Sequence, residues 1–133
     1  MSAAQPATSK IADFDAITIV MNLYTQGVRT GSSAAMKPAF HDAATFFGYY
    51  QGQLLAGPIQ ILFDWVDGNG PSEGIQTRIT SVDMCETIAV VSMDMTNMTG
   101  KLTGEGPATL SDRFQLIKVG SEWKITQKSF HWF

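Results

Sequence analysis

The sequence predicts an α+β domain: a strongly curved antiparallel sheet folded over three helices that lie in the first half of the chain. Three observations predict it. Apolar residues recur at helical spacing before residue 67, they alternate at period 2 after residue 76, and the chain closes on a long β-hairpin over Ala108 to Trp132. Helices first and antiparallel strands afterwards make an α+β layer architecture.

In chain order, the polar start MSAAQPATSK reads as a frayed tail, with residues 1–12 set outside a single domain over 13–133. Helix 1 is expected from Asp13 to Arg29. Asp13 is its candidate cap, and Ile17, Val20, Met21, Tyr24 and Val28 form its apolar stripe. A short second helix from Ser33 must yield at Pro38, which disfavours helical geometry in the residue before it. Ala39 to Thr45 reads as a lead-in loop, Phe46 to Tyr50 as an aromatic strand, and Gln53 to Leu55 as its returning partner. His41 and Asp42 are neighbours in that lead-in. Adjacency alone gives no hydrogen-bond reach, so surface polarity or an Asx-type turn explains them. Helix 3 is expected to begin with Pro58 at its first position, run through Ile59 to Val66 and close at Gly68. Strands over Gln76–Met84 and Thr87–Met98 follow, with Ala89, Val91, Met93 and Met95 on one face and Asp94 on the other.

The closing hairpin carries the candidate chemistry. Gly120 at the first central position of a two-residue loop suits a type II′ turn. Counting outward without interruption places Leu110 opposite His131, Asp112 opposite Ser129, Phe114 opposite Gln127 and Leu116 opposite Ile125, all on one face. One carboxylate and one imidazole among apolar neighbours is the composition of a pocket with a few polar anchors. Asp112 and His131 are therefore the candidate catalytic pair. Tyr24, Phe46, Trp65, Met93, Leu110, Phe114, Gln127 and Ser129 are the candidate pocket residues. The opposite face, with Lys124, Thr126 and Lys128, is expected to be wet. A structural alternative stands for Asp112, an acid held only by Ser129 or a backbone amide. A bulge between Leu110 and His131 would break the constellation.

Composition narrows the classes. The chain has 133 residues, 44% of them hydrophobic and 16% charged, which is one globular domain with a real core. A net charge of −3 with scattered basic residues argues against a nucleic-acid surface. No apolar stretch is long enough to span a bilayer. A single cysteine, Cys85, fits a reducing compartment, so a cytoplasmic location is expected. With only His41 and His131, a histidine-rich metal site is not expected, nor is a cofactor.

Several segments together resemble a known superfamily. They are Phe40-His41-Asp42-Ala43, Gly52-Gln53-Leu54, Arg78 to Asp83, Ile88 to Val91, Ser111 to Leu116 and Trp123 to Lys128. In these the chain resembles the nuclear transport factor 2-like superfamily, also called cystatin-like, and within it the putative lumazine-binding, SnoaL-like polyketide cyclase branch. The resemblance implies a cone-shaped fold with a cavity between the concave sheet and helices 1 and 3, and homodimerisation. It also places Gly48 where ketosteroid isomerases carry their carboxylate base, so that base is missing here. Because this superfamily hosts many functions, three readings remain. One is a module binding a small apolar or aromatic molecule. Another is a cofactor-free cyclase, isomerase or dehydratase that uses Asp112 and His131, with Tyr24 as oxyanion donor. The last is a structural homodimer whose cavity is plugged by Phe46, Trp65 and Met93.

Overall fold

The computed structural model describes residues 7–133. Helix α1 spans Ala7–Thr30 and α2 Ser33–Met36, and a 3-10 turn over Lys37–Ala39 leads into β1, Phe40–Tyr50. Strand β2 is Gln53–Pro58, α3 is Gln60–Asn69, β3 is Gln76–Cys85, β4 is Ile88–Met98, β5 is Ala108–Val119 and β6 is Glu122–Trp132. The six strands form one sheet in the order β2-β1-β6-β5-β4-β3.

The sheet is antiparallel at every junction except one. Strands β1 and β6 run parallel, so the first hairpin joins the rest of the sheet through the last strand. The expected antiparallel sheet is met at every junction but this one. Parallel neighbours need a long crossover, and here the whole of β2 to β5 with α3 supplies it. The ladder is irregular, because the step from Phe40 to Thr45 on β1 matches the step from Ile125 to Gln127 on β6.

Helix α1 begins well before Asp13. Residues 1–6 of the expected tail lie outside the described residues, and residues 7–12 are helical. Asp13 is therefore not a cap. It lies along the helix and accepts hydrogen bonds from the Trp123 indole N–H at 3.1 Å and from Lys118 Nζ at 3.0 Å. The apolar stripe is as read, with Ile17, Val20, Met21, Tyr24 and Val28 all buried. It packs on the inner face of β4 and β5, where Ala89, Val91, Met93, Met95, Leu110, Phe114 and Leu116 point inward.

Two boundaries differ from expectation. Pro58 ends β2 and does not open α3, since the Ile59 N–H is drawn to the Ala44 carbonyl at 2.9 Å. His41 and Asp42 belong to β1 and are exposed, and the His41 Nδ1 accepts the Ala43 N–H at 2.9 Å. The hairpin tip is as expected. Gly120 has φ 62 and Ser121 is not among the residues of positive φ, the pattern of a type II′ turn.

Candidate functional site

The β5–β6 ladder contains a bulge. Val119 pairs with Glu122, Lys118 with Trp123 and Leu116 with Ile125, as counted from the turn. Gln115 then pairs with Gln127, leaving Thr126 as an extra residue on β6. Its hydroxyl bonds the Gln115 carbonyl at 3.2 Å. Because side chains alternate at period 2, one inserted residue exchanges the two faces for the rest of the strand. Asp112 therefore pairs with Phe130, Phe114 with Lys128 and Leu110 with Trp132.

The consequence for the expected site is direct. Leu110, Asp112 and Phe114 face inward and are buried, as is Met93. Gln127, Ser129 and His131 face outward with Arg113 and Ser111. His131 is exposed and packs its ring edge-to-face on Phe133, 4.7 Å between centroids. Asp112 and His131 do not share a face, so they form no pair. In their place the expected wet side of β6 supplies Lys128, Phe130 and Trp132 to the interior.

These residues line an apolar hollow between the inner sheet face and helices α1 and α3. The free volume it encloses is small, about 30 Å³. Tyr24 and Val28 come from α1, and Leu62, Trp65 and Val66 from α3. Phe46 and Tyr50 come from β1, and Leu110, Lys128, Phe130 and Trp132 from the closing hairpin. Of the expected pocket residues, Tyr24, Phe46, Trp65 and Leu110 line it, while Met93 and Phe114 lie in the core behind it. The rings interlock: Phe46 stacks on Phe130 at 4.8 Å, and Trp132 meets Tyr50 at 4.9 Å and Trp65 at 5.7 Å edge-to-face.

Gly48 makes that packing fit. A Cβ added there would stand 2.2 Å from Phe130 Cδ1. The space beside Gly48 is thus closed by an aromatic ring from the neighbouring strand.

The polar group of the hollow is a buried pair. Lys128 Nζ is 3.4 Å from Asp112 Oδ1, and the two side chains are 4% and 0% exposed. Three rings surround the lysine nitrogen, with centroids at 5.4 Å for Tyr24, 5.2 Å for Phe46 and 4.8 Å for Phe130. A cation over an aromatic face is attracted by the ring quadrupole. Lys128 and the Tyr24 hydroxyl are the polar neighbours of Asp112, yet no well-aligned donor meets either carboxylate oxygen. The indole N–H of Trp65, on the same hollow, is buried without an acceptor.

Burial dominates the titration of all three groups, because it penalises a charge stripped of water. It raises the Asp112 carboxyl above the ordinary carboxylate value, with Lys128 pulling the other way. It lowers Lys128 below the ordinary lysine value, opposed by Asp112. It raises Tyr24 well above the ordinary phenol value, reinforced by the Asp112 charge. Burial thus disfavours the charged form of both partners, while each one's charge favours that of the other. Among the described residues no cluster of three metal-ligating side chains occurs, and no helix is long and apolar enough to cross a membrane.

Sequence reasoning placed Lys128 on the wrong side, although a signal was present. The apolar residues of β6 change phase, from odd positions at Trp123 and Ile125 to even ones at Phe130 and Trp132. On β5 they stay even from Leu110 to Leu116. One strand slipping against an unbroken partner is the mark of a bulge.

The chain is similar to several known proteins. The profile of a family described as "Putative lumazine-binding" matches residues 12–131. The aldolase FrzH of Cladobotryum sp. is 26% identical over 121 residues, 90% of this chain and 91% of that protein. A solved structure of an NTF2-like protein of unknown function from Methylobacillus flagellatus KT is 35% identical. It covers 100% of this chain and 98% of its own, with a TM-score of 0.85. Another NTF2-like protein of unknown function, from Shewanella baltica OS155, is 30% identical over 98% of each chain, with a TM-score of 0.84.

Proposed function

The chain belongs to the Putative lumazine-binding family within the nuclear transport factor 2-like superfamily, and from that premise we propose that its hollow takes up a small, largely apolar carbonyl compound and moves a proton on it without a cofactor. The observation that carries this reading is the juxtaposition of Asp112 and Lys128 on the inner sheet face, with Lys128 and Tyr24 on the wall of the hollow. Buried titratable groups shifted by desolvation and by one another, at the edge of a cavity, are what acid–base chemistry requires. Lys128 and Tyr24 take the part first assigned to His131. The similarity to the aldolase FrzH, which spans 90% of this chain and 91% of that protein, supports chemistry next to a carbonyl.

The walls define the ligand. Rings on most sides favour a flat, apolar body. The unmet indole N–H of Trp65 and the lysine nitrogen both call for an oxygen acceptor. A buried donor left unpaired costs about 1–3 kcal/mol, which a carbonyl oxygen would relieve. Acetophenone against ethylbenzene in a thermal-shift titration tests this, since the two differ in the oxygen. Acetophenone is expected to raise the melting temperature more, and Trp65→Phe to narrow the gap. Equal shifts, or none from either, would contradict the reading.

A second reading, binding without chemistry, is favoured by the closeness of the walls. The free volume is about 30 Å³, room for roughly two waters, so an aromatic ketone enters only as the ring walls part. Acetophenone binding without exchange of its methyl protons would select this reading.

A further inference from the structure

Resting on the reading of the hollow as a site for carbonyl compounds, we infer that Lys128 is a covalent nucleophile that forms an iminium with an aldehyde or ketone bound against it. Three geometric facts support this. Lys128 lines the hollow, whereas Lys37 and Lys101 lie exposed on the surface. Its nitrogen has one acidic neighbour, Asp112 Oδ1 at 3.4 Å, and that carboxylate is buried with no aligned donor of its own. The rings of Tyr24, Phe46 and Phe130 stand 4.8–5.4 Å from the nitrogen.

The step balances within this group. In the uncharged state of the pair the lysine is an amine and Asp112 a carboxylic acid. The nitrogen lone pair forms a bond to the carbonyl carbon, and the carbonyl π pair moves onto oxygen. That oxygen takes up the Asp112 proton and one proton from nitrogen, and leaves as water. An amine, a carbonyl and a carboxylic acid have become an iminium, a water molecule and a carboxylate. The positive charge of the iminium forms on the same nitrogen that carries it in the ammonium. The ring cage and the Asp112 carboxylate therefore stabilise the product by the contacts they offer the lysine itself. Burial supports the uncharged starting state, since it moves both partners toward neutrality.

The test uses the full-length wild-type protein with benzaldehyde and sodium cyanoborohydride, followed by peptide mass mapping. Lys128 is expected to carry the benzyl group at least severalfold faster than the exposed Lys37 or Lys101, since it alone of the three lines the hollow. Asp112→Asn is expected to slow Lys128 labelling markedly, and Lys128→Arg to leave only slow surface labelling. Acetylacetone gives an independent readout that needs no reductant: an absorbing enaminone in wild type and none in Lys128→Arg. Labelling spread evenly over the surface lysines, or an enaminone that survives Lys128→Arg, overturns the inference. If acetophenone still binds in preference to ethylbenzene in that case, the site reading stands and only the covalent step falls. If that preference is also absent, both fall.

Discussion

Lys128 Nζ and Asp112 Oδ1 stand 3.4 Å apart with almost no exposed surface on either side chain. Taking two ions out of water costs several kcal/mol each, and attraction repays it only with good geometry and further hydrogen bonds. Here the geometry is incomplete, for neither Asp112 oxygen has an aligned donor. A pair kept only for stability would be better served by apolar side chains of the same size. Its position on a cavity wall accounts for it through function.

Breaking the pair on one side is expected to be costly. Lys128→Met should lose about 3 kcal/mol in urea unfolding, the lower end for an orphaned buried charge. The double variant Asp112→Asn with Lys128→Met should recover a large part of that loss. Additive losses would mean that the two side chains do not interact.

The pH dependence has a definite sign. The folded Asp112 value lies above its ordinary 3.8, so the native state holds a proton that the unfolded chain has released. The contribution of Asp112 is complete below about 3.8 and is lost as pH rises through the folded value. Stability of wild type relative to Asp112→Asn should therefore decline as pH rises from 4. Lys128 has the opposite sign: its folded value is below 10.5. Its contribution is present above 10.5 and lost as pH falls through the folded value. Unfolding midpoints across pH 4 to 10.5 check both. A wild-type advantage over Asp112→Asn that grows with pH would contradict the assignment.

His131 provides a control. It lies exposed on the outer face beside Phe133, so His131→Ala should change stability by no more than about 0.5 kcal/mol, as is usual for surface substitutions. It should also leave ligand binding unchanged. A large loss of binding would restore the uninterrupted register.

Gly48 is expected to tolerate no side chain. Gly48→Ala should cost about 1–3 kcal/mol, the range for overpacking a core, or more, given the 2.2 Å approach to Phe130 Cδ1. The added Cβ would also stand 2.4 Å from the Phe130 carbonyl oxygen, which Phe130→Leu leaves in place, so that change should recover only part of the loss, and urea unfolding of the four-member cycle measures it.

Much of the fold was legible because it rests on local rules. The α1 stripe, the Gly120-Ser121 turn and the inward face Ala89, Val91, Met93 and Met95 follow from periodicity and turn chemistry, which short windows contain. The parallel β1–β6 junction was not legible, since nothing in either strand specifies a partner so distant in sequence. Asp13 misled because a side chain suited to capping also suits a buried indole N–H, and only tertiary packing decides between them. The site turned on Thr126. Counting from the turn was sound to Ile125, and one extra residue then exchanged a polar trio, Gln127, Ser129 and His131, for Lys128, Phe130 and Trp132. The change of apolar phase along β6 was the available sign.

The most direct test is the exchange of acetophenone methyl protons in heavy water, followed by proton NMR with wild type and Asp112→Asn. Loss of the methyl signal above the buffer rate, reduced about a hundredfold or more by Asp112→Asn as for removal of a general acid–base group, is the predicted result. Saturating acetophenone that exchanges no faster than in buffer, or equally fast with both proteins, would contradict proton transfer by the buried pair.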